Sequence, residues 1–365
     1  MAFAPVEPAE PDRVAWFFGK VLEYFHEPYK SWEAFVDAIG LGAQLFVSID
    51  SKTGWLFLLS SVVVAGVVYQ YERSTGALGQ SVSLRQFLFP GSVYRHRSAV
   101  ADYRFVAFDL TFRWITYGPV LAGVSYLSYT GTMKLREAFF PDLSLWLAAP
   151  LSPVVATVIF VLVVDFGFYV GHYLAHKIHF FWVFHQIHHS AEVLTPITVY
   201  RVHPVDEGLA VLASGVVSGV FATTYTATTG EPVEYVTVFG VNALTFAFYF
   251  FAYQLRHSHI WLSYGPLVSR ILISPAQHQI HHSRETRHHD KNFGFMLAIW
   301  DGLFGTLYVP KSRETFELGV SGADPADFST IPRLYFLPFG KAWRYVRQGV
   351  AGAGGRRSSA ERTGA

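Results

Sequence analysis

Two segments about ninety residues apart repeat one histidine spacing. His185, His188 and His189 form an HxxHH run, and His278, His281 and His282 form another with the same intervening Gln-Ile pair. On a helix the positions i, i+3 and i+4 lie on one side, so each run is expected to present three imidazoles to a single point. His172 and His176 sit one helical turn apart just upstream, and 14 of the 16 histidines fall between His172 and His289. Imidazole at that density is metal-ligand chemistry, and one ion cannot use so many. The repetition suggests a dinuclear centre with one HxxHH run capping each half.

Composition says where such a centre would sit. Only 15% of the 365 residues are charged, against roughly a quarter in soluble domains, while 51% are hydrophobic and mean hydropathy is +0.28. That is a membrane-protein profile. A net charge of +1 without a basic stripe argues against a nucleic-acid partner. Cysteine is absent, which excludes disulfides, Cys-bound zinc, thiolate haem and protein-ligated iron–sulfur clusters, so any metal must be held by nitrogen and oxygen. Met1 to Asp12 is acidic and proline-rich, with no basic stretch leading into an apolar core, and no cleavable signal peptide is expected.

Five segments are apolar enough to cross a bilayer: Trp55 to Tyr71, Phe105 to Tyr129, Leu145 to Val170, Leu209 to Thr228 and Tyr235 to Tyr253. Arg73, Arg85, Arg95, Arg97 and Arg104 follow the first and favour the cytoplasmic side for that loop. Alternating the spans then puts His172 to His203 and His257 to His289 on the same cytoplasmic side, where they can meet. The expected fold is an all-α integral membrane bundle of about five spans with a cytoplasmic, His-rich helical cap holding the dinuclear site. By domain, residues 1–54 read as an interfacial segment containing Trp16, Phe17, Tyr24 and Phe25, and residues 55–144 as N-terminal spans with the basic loop. Residues 145–310 read as the metal-bearing domain and 311–365 as an extension whose end, from Gly352, is Gly/Ser/Arg-rich and expected to be disordered. Intramembrane charge is costly, so Asp165 is a candidate site residue, while Asp109 and Arg113, at i and i+4, read as a self-satisfied pair.

The run from Asp165 through Tyr169, His172 and His176, followed by Phe181, Trp182, His185, His188, His189 and Ser190, resembles the fatty acid hydroxylase and sterol desaturase superfamily. Arg201 to Pro204, His278 to Ser283, Asp290 to Gly294 and Trp300 to Thr306 agree with it in order, so the resemblance covers about Asp165 to Pro310. It implies an integral-membrane oxygenase with a diiron centre of two iron ions, which uses O2 as co-substrate and two electrons to hydroxylate or desaturate a lipid C–H bond. Carried over residue by residue, it implies His172, His176, His185, His188, His189, His278, His281 and His282 as core ligands. His257 matches a lone histidine of the family, with His259 standing where asparagine is commoner, which leaves open which of the two binds. His203 and His289 remain possible ligands or groups that orient one, as do Asp165, Asp206, Asp290 and Asn292.

Other readings stand beside these. His26, His96, His179 and His288 read as surface or interfacial, Trp182, Trp300 and Phe304 as packing or membrane-belt aromatics, and Asp301 as a structural cap. The leading function is a membrane oxygenase acting on a lipid that enters from the bilayer, with hydroxylation ahead of desaturation and the site on the cytoplasmic side, at the inner membrane in a bacterium. Its electrons must come from a separate ferredoxin or cytochrome, because the chain has no dinucleotide fingerprint, haem domain or cluster cysteines, and Arg95 and Arg97 are candidate docking charges. A zinc-dependent membrane hydrolase uses fewer ligands. A non-catalytic metal-binding or transport protein should carry ionisable ligands mid-span.

Overall fold

The computed structural model describes residues 19, 22–23, 26–48, 54–142, 149–251 and 253–361. Trp16, Phe17, Tyr24 and Phe25, and the first residues of the Leu145 to Val170 segment, lie outside the described residues. The principal helices are α1 (Trp32–Val47), α2 (Trp55–Ser74), α3 (Arg97–Phe112), α4 (Gly118–Phe139), α5 (Pro153–Lys177), α6 (His179–His189) and α7 (Pro204–Thr229). After them come a two-residue-per-strand hairpin, β1 (Thr237–Val238) and β2 (Val241–Asn242), and then α8 (Ala243–Phe250), α9 (Pro275–His281), α10 (Ile299–Phe304) and α11 (Ile331–Glu361). Helix α11 includes the stretch from Gly352 to Glu361 that composition alone reads as a tail.

Among the described residues three helices are long and apolar enough to cross a membrane: α2, α5 and α7, of 20, 25 and 26 residues. At 1.5 Å per residue these span about 30 to 39 Å, enough for a hydrocarbon core of about 30 Å. Their outer faces expose Leu59, Val63 and Val67, then Val154 and Val158, then Leu212, Val216 and Val220, as lipid-facing helices do. Two of the five expected spans take another form. Phe105 to Tyr129 breaks between α3 and α4, where Arg113 turns inward to Asp109 (2.8 Å) and to Glu207 of α7 (2.6 Å), and the helix restarts at Gly118 with Pro119 in its first turn. The Asp109–Arg113 pair is therefore satisfied as expected, with Glu207 added. Tyr235 to Tyr253 is not one helix either. Phe239 and Gly240 both take positive φ, 50° and 80°, the hand a two-residue hairpin turn requires, and only the eight residues of α8 follow, capped by Asn242.

Helix α7 packs along both α4 and α5. Its approach to α5 depends on two glycines one turn apart. A Cβ at Gly167 would lie 2.5 Å from the Cα of Ser214, and one at Gly171 3.1 Å from the Cα of Ala210, so the backbones meet as small-xxx-small helix pairs do. Asp165, on α5, accepts hydrogen bonds from the backbone N–H groups of Met296 (2.7 Å) and Leu297 (3.0 Å) and from the Trp300 indole (3.1 Å). That carboxylate ties the loop after α9 to α5. A buried cluster of Phe105, Ile187, Val199, Tyr200, Tyr253 and Leu334 joins α3, α6 and α11 beneath the histidines.

Candidate metal centre

Nine buried or half-buried histidines gather where α5, α6, α9 and the 3-10 turn Tyr253–His257 converge. They form two groups. His172, His176, His185, His189 and His281 make the first, and His188, His257, His278 and His282 the second; within each, the candidate ligand nitrogens all lie within 4.8 Å of one another. The groups touch, the His189 and His282 rings stacking at 4.6 Å. Both contain histidine alone.

The partition corrects the expectation that each HxxHH run caps one half. At 100° per residue, positions i and i+4 differ by about 40° around a helix, whereas i+3 lies about 100° from i+4. His185 and His189 therefore share the first group while His188 turns to the second, and His278 and His282 share the second while His281 turns to the first. Each run serves both groups.

The nitrogens are spaced for an ion. Nε2 of His257 lies 3.2 Å from that of His188, 3.0 Å from that of His278 and 3.2 Å from that of His282, and His185 and His189 Nε2 are 3.1 Å apart. Two nitrogens each about 2.0–2.1 Å from one ion are about 2.9–3.4 Å apart at octahedral to tetrahedral angles. Nε2 of His172, His176 and His281 is buried without a hydrogen-bond partner, a cost normally avoided unless something else satisfies the atom. Burial, reinforced by neighbouring imidazoles, pushes His188 and His281 down to about 3 and holds His189, His278 and His282 well below the ordinary histidine value. These rings are neutral at neutral pH, each with a lone pair to offer. The donor set thus fits a borderline transition-metal ion such as iron or zinc.

The opposite ring nitrogens are held by the protein. Nδ1 of His172 meets the Phe293 carbonyl at 2.8 Å, that of His281 the Lys291 carbonyl at 2.8 Å, that of His188 the Arg201 carbonyl at 3.3 Å, and that of His185 the Asp206 carboxylate at 2.9 Å. A donor at Nδ1 leaves Nε2 bare and aimed inward. His278 differs: Arg256 Nη2 lies 2.8 Å from its Nδ1, and because a guanidinium can only donate, Arg256 competes with an ion for the single lone pair of this neutral ring. Arg256 is 3% exposed, donates also to the Phe295 carbonyl, and sits over the Phe248, Tyr253 and Phe295 rings. Beneath α6, Arg201 (1% exposed) pairs with Asp102 (0%) at 2.5 Å and donates to the Ser190 hydroxyl and the Ile187 carbonyl. Burial raises the Asp102 carboxyl while Arg201 opposes that rise.

Of the residues left open by sequence, Asp206 lies beside His185, and His257, not His259, joins the second group; His259 Nε2 meets the Phe87 carbonyl at 2.7 Å instead. His203 stands outside both groups. It caps α7 by accepting from Val205 N–H through Nδ1 and donates from Nε2 to the Tyr335 carbonyl. Asp165 orients the 296–297 backbone, not an imidazole. Asp290 and Asn292 both take positive φ; Asp290 pairs with Lys177, and the Asn292 amide bridges the Gln277 and Tyr308 backbone. His289 is exposed, its Nε2 3.2 Å from the Arg284 carbonyl. Asp301 accepts from the Phe293 and Gly294 backbone and Thr306, a structural role as expected. Sequence reasoning assigned no role to Arg256 or Asp102, whose only signal is charge inside otherwise apolar surroundings. A cavity of about 450 Å³ reaches His176, His189 and His281 past Lys177, Arg284 and Asp290.

The stretch that carries all nine histidines is also the one that matches known proteins. Residues 157–306 match the family model described as fatty acid hydroxylase. Among curated proteins, the chain is 32% identical over 160 residues to ornithine lipid hydroxylase OlsE of Rhizobium tropici, covering 44% of each chain. It is 31% identical over 156 residues to human alkylglycerol monooxygenase, covering 42% of this chain and 31% of that one. Very-long-chain aldehyde decarbonylase GL1-1 of Oryza sativa is 29% identical over 210 residues, covering 54% and 30%. The match spans less than half the length of each of these relatives. No solved structure matches.

Proposed function

We propose that the fatty acid hydroxylase domain of this chain, residues 157–306, holds two iron ions and inserts one atom of O2 into a C–H bond of a membrane lipid. The observation that carries this reading is the pair of contiguous all-histidine groups at the ends of apolar helices. Nine imidazoles exceed what one catalytic zinc uses, which sets the hydrolase reading aside. The relatives named as lipid hydroxylase and alkylglycerol monooxygenase support hydroxylation over desaturation and a lipid as substrate. In the balanced reaction, O2, two electrons, two protons and R–H give R–OH and water.

When bound, the iron pair supplies redox-active metal able to activate O2. The chain supplies the rest. His172, His176, His185, His189 and His281 hold one ion, and His188, His257, His278 and His282 the other. Phe293, Lys291 and Arg201 carbonyls and the Asp206 carboxylate fix the ring orientations from behind. Phe293, against the His172, His176 and His281 rings, forms an apolar wall on one side of the first group. The cavity past Lys177 and Arg284 serves small polar species such as water and protons, while the lipid reaches the site from the bilayer, since its tail gains nothing by crossing water. Electrons come from a separate ferredoxin or cytochrome. Arg97 is already paired with Glu192 at 3.0 Å, so exposed Arg95 is the freer docking charge of the two.

The test is lipid mass spectrometry on membranes of cells expressing the wild type or His188→Ala under oxygen-18 gas. A lipid gaining one heavy oxygen with the wild type alone is the expected result. An O2-dependent loss of two hydrogens without label would replace hydroxylation by desaturation, and no O2-dependent difference with iron-loaded protein would overturn the reading.

A further inference from the structure

Helix α11 carries a face that the described residues leave largely uncovered. Phe336, Phe339, Trp343 and Val346 are 71%, 51%, 64% and 42% exposed. At 100° per residue these four lie within about 80° of one another around the helix. The other side is spent on the protein, with Leu334 and Ala342 buried and Phe339 turned partly onto Phe184 and His203. Between Ile331 and Gln348 the helix contains Arg333, Lys341, Arg344 and Arg347 and no acidic residue. Arg333, Arg344 and Arg347 fall within about 60° on one flank of the aromatic stripe.

Three contacts fix the level of this helix relative to the candidate spans. The Tyr335 carbonyl accepts from His203, the residue immediately before α7 begins. The Tyr345 ring lies 4.7 Å from that of His179, two residues after α5 ends at Lys177. The Tyr335 hydroxyl meets Asp109, near the end of α3. Two long apolar helices thus terminate on α11. The level at which spans end is the level of the lipid headgroups, and aromatic rings flanked by arginine are the composition found there.

We infer that α11 from Ile331 to Gln348 is an interfacial helix lying in the anionic headgroup layer of the bilayer, its Phe336–Trp343 stripe among the acyl chains and its arginines on lipid phosphate. The chemistry favours this occupant over a second copy of the chain, whose matching face would carry the same positive charge, and over an acidic soluble protein, which would leave four large apolar side chains to pair with polar surface. Because α11 packs on α6 through Phe339 and Ala342, its seat in the interface also sets the depth of His185, His188 and His189. The inference rests on reading α2, α5 and α7 as membrane spans.

The chain lacks cysteine, so single Phe336→Cys and Trp343→Cys variants can be spin-labelled in the full protein without background. Labels at Val158→Cys, on the exposed face of α5, and at Lys311→Cys, exposed, serve as lipid and water references. The measurement is collisional access to O2 and to a water-soluble nickel chelate in nanodiscs of phosphatidylcholine with or without phosphatidylglycerol. For an interfacial helix, labels at positions 336 and 343 show an O2-to-nickel access ratio at least about threefold that at position 311, rising with anionic lipid. Nickel access at 336 and 343 equal to that at 311, with 158 still shielded, overturns the inference and leaves the spans intact. Nickel access at 158 as well overturns the span reading itself. Dipolar broadening between labels on different chains would assign the face to a second copy instead.

Discussion

His188 and His257 bring their Nε2 atoms to 3.2 Å although 69 residues separate them, while His185 and His189, on the same short helix as His188, point to the other group. One helical run is thus shared between two sites, and the run on α9 returns the exchange through His281. Neither site can form unless α6 and α9 are docked, so metal binding reports on that docking.

Asp206 is the carboxylate behind a candidate ligand, 2.9 Å from His185 Nδ1. Asp206→Asn should leave the fold standing and weaken retention of the first-group ion about 10- to 100-fold, the usual range for such outer partners. Competition against a chelator reads this directly, and an unchanged affinity would remove Asp206 from the site.

Among the described residues, Arg256 is the one cation within hydrogen-bond reach of a ring nitrogen of the centre. As a donor to Nδ1 it favours the proton on Nε2 and opposes ligation there, so Arg256→Gln, whose amide oxygen can accept from Nδ1, should tighten retention of the second ion, with Arg256→Lys staying nearer the wild type. Chelator half-lives of the two variants equal to wild type would make the contact incidental.

The Asp102–Arg201 pair is buried on both sides, so breaking it leaves an uncompensated charge. Asp102→Asn should destabilise the protein by about 3–5 kcal/mol, seen as a lower denaturant midpoint in detergent. A shift below about 1 kcal/mol would mean that the Ser190 hydroxyl and the Ile187 and Phe328 carbonyls hold Arg201 unaided.

Gly167 sits closer to α7 than Gly171 does, 2.5 Å against 3.1 Å for an added Cβ. Gly167→Ala should therefore lower thermal stability and metal content more than Gly171→Ala. The reverse order, in melting and metal assays of both, would contradict the packing.

Much of the centre was legible because HxxxH and HxxHH are helix-surface patterns, readable without tertiary contacts. The division of each run was not. It follows from the 60° between positions i and i+3, which matters only once a second helix faces the first. His203 and His257 look alike in sequence, and tertiary context separates them: one caps α7, the other faces His188. The two missing spans failed for a different reason. Hydropathy counts apolar side chains in Phe105 to Tyr129 and Tyr235 to Tyr253, but Arg113 paired with Glu207 stops one helix, and the turn at Phe239 and Gly240 stops the other. Asp165 reads as a site residue because charge among apolar neighbours is costly, and its partners, backbone N–H groups about 130 residues away, have no signature in the chain.

The central claim is that two ions are held by exchanged histidines. Metal content and Mössbauer spectra of iron-57-loaded protein should give two irons per chain, with His188→Ala and His278→Ala losing the same iron signal, and His281→Ala and His185→Ala losing the other. A single ion per chain, or His188→Ala losing the signal that His185→Ala loses, would contradict it.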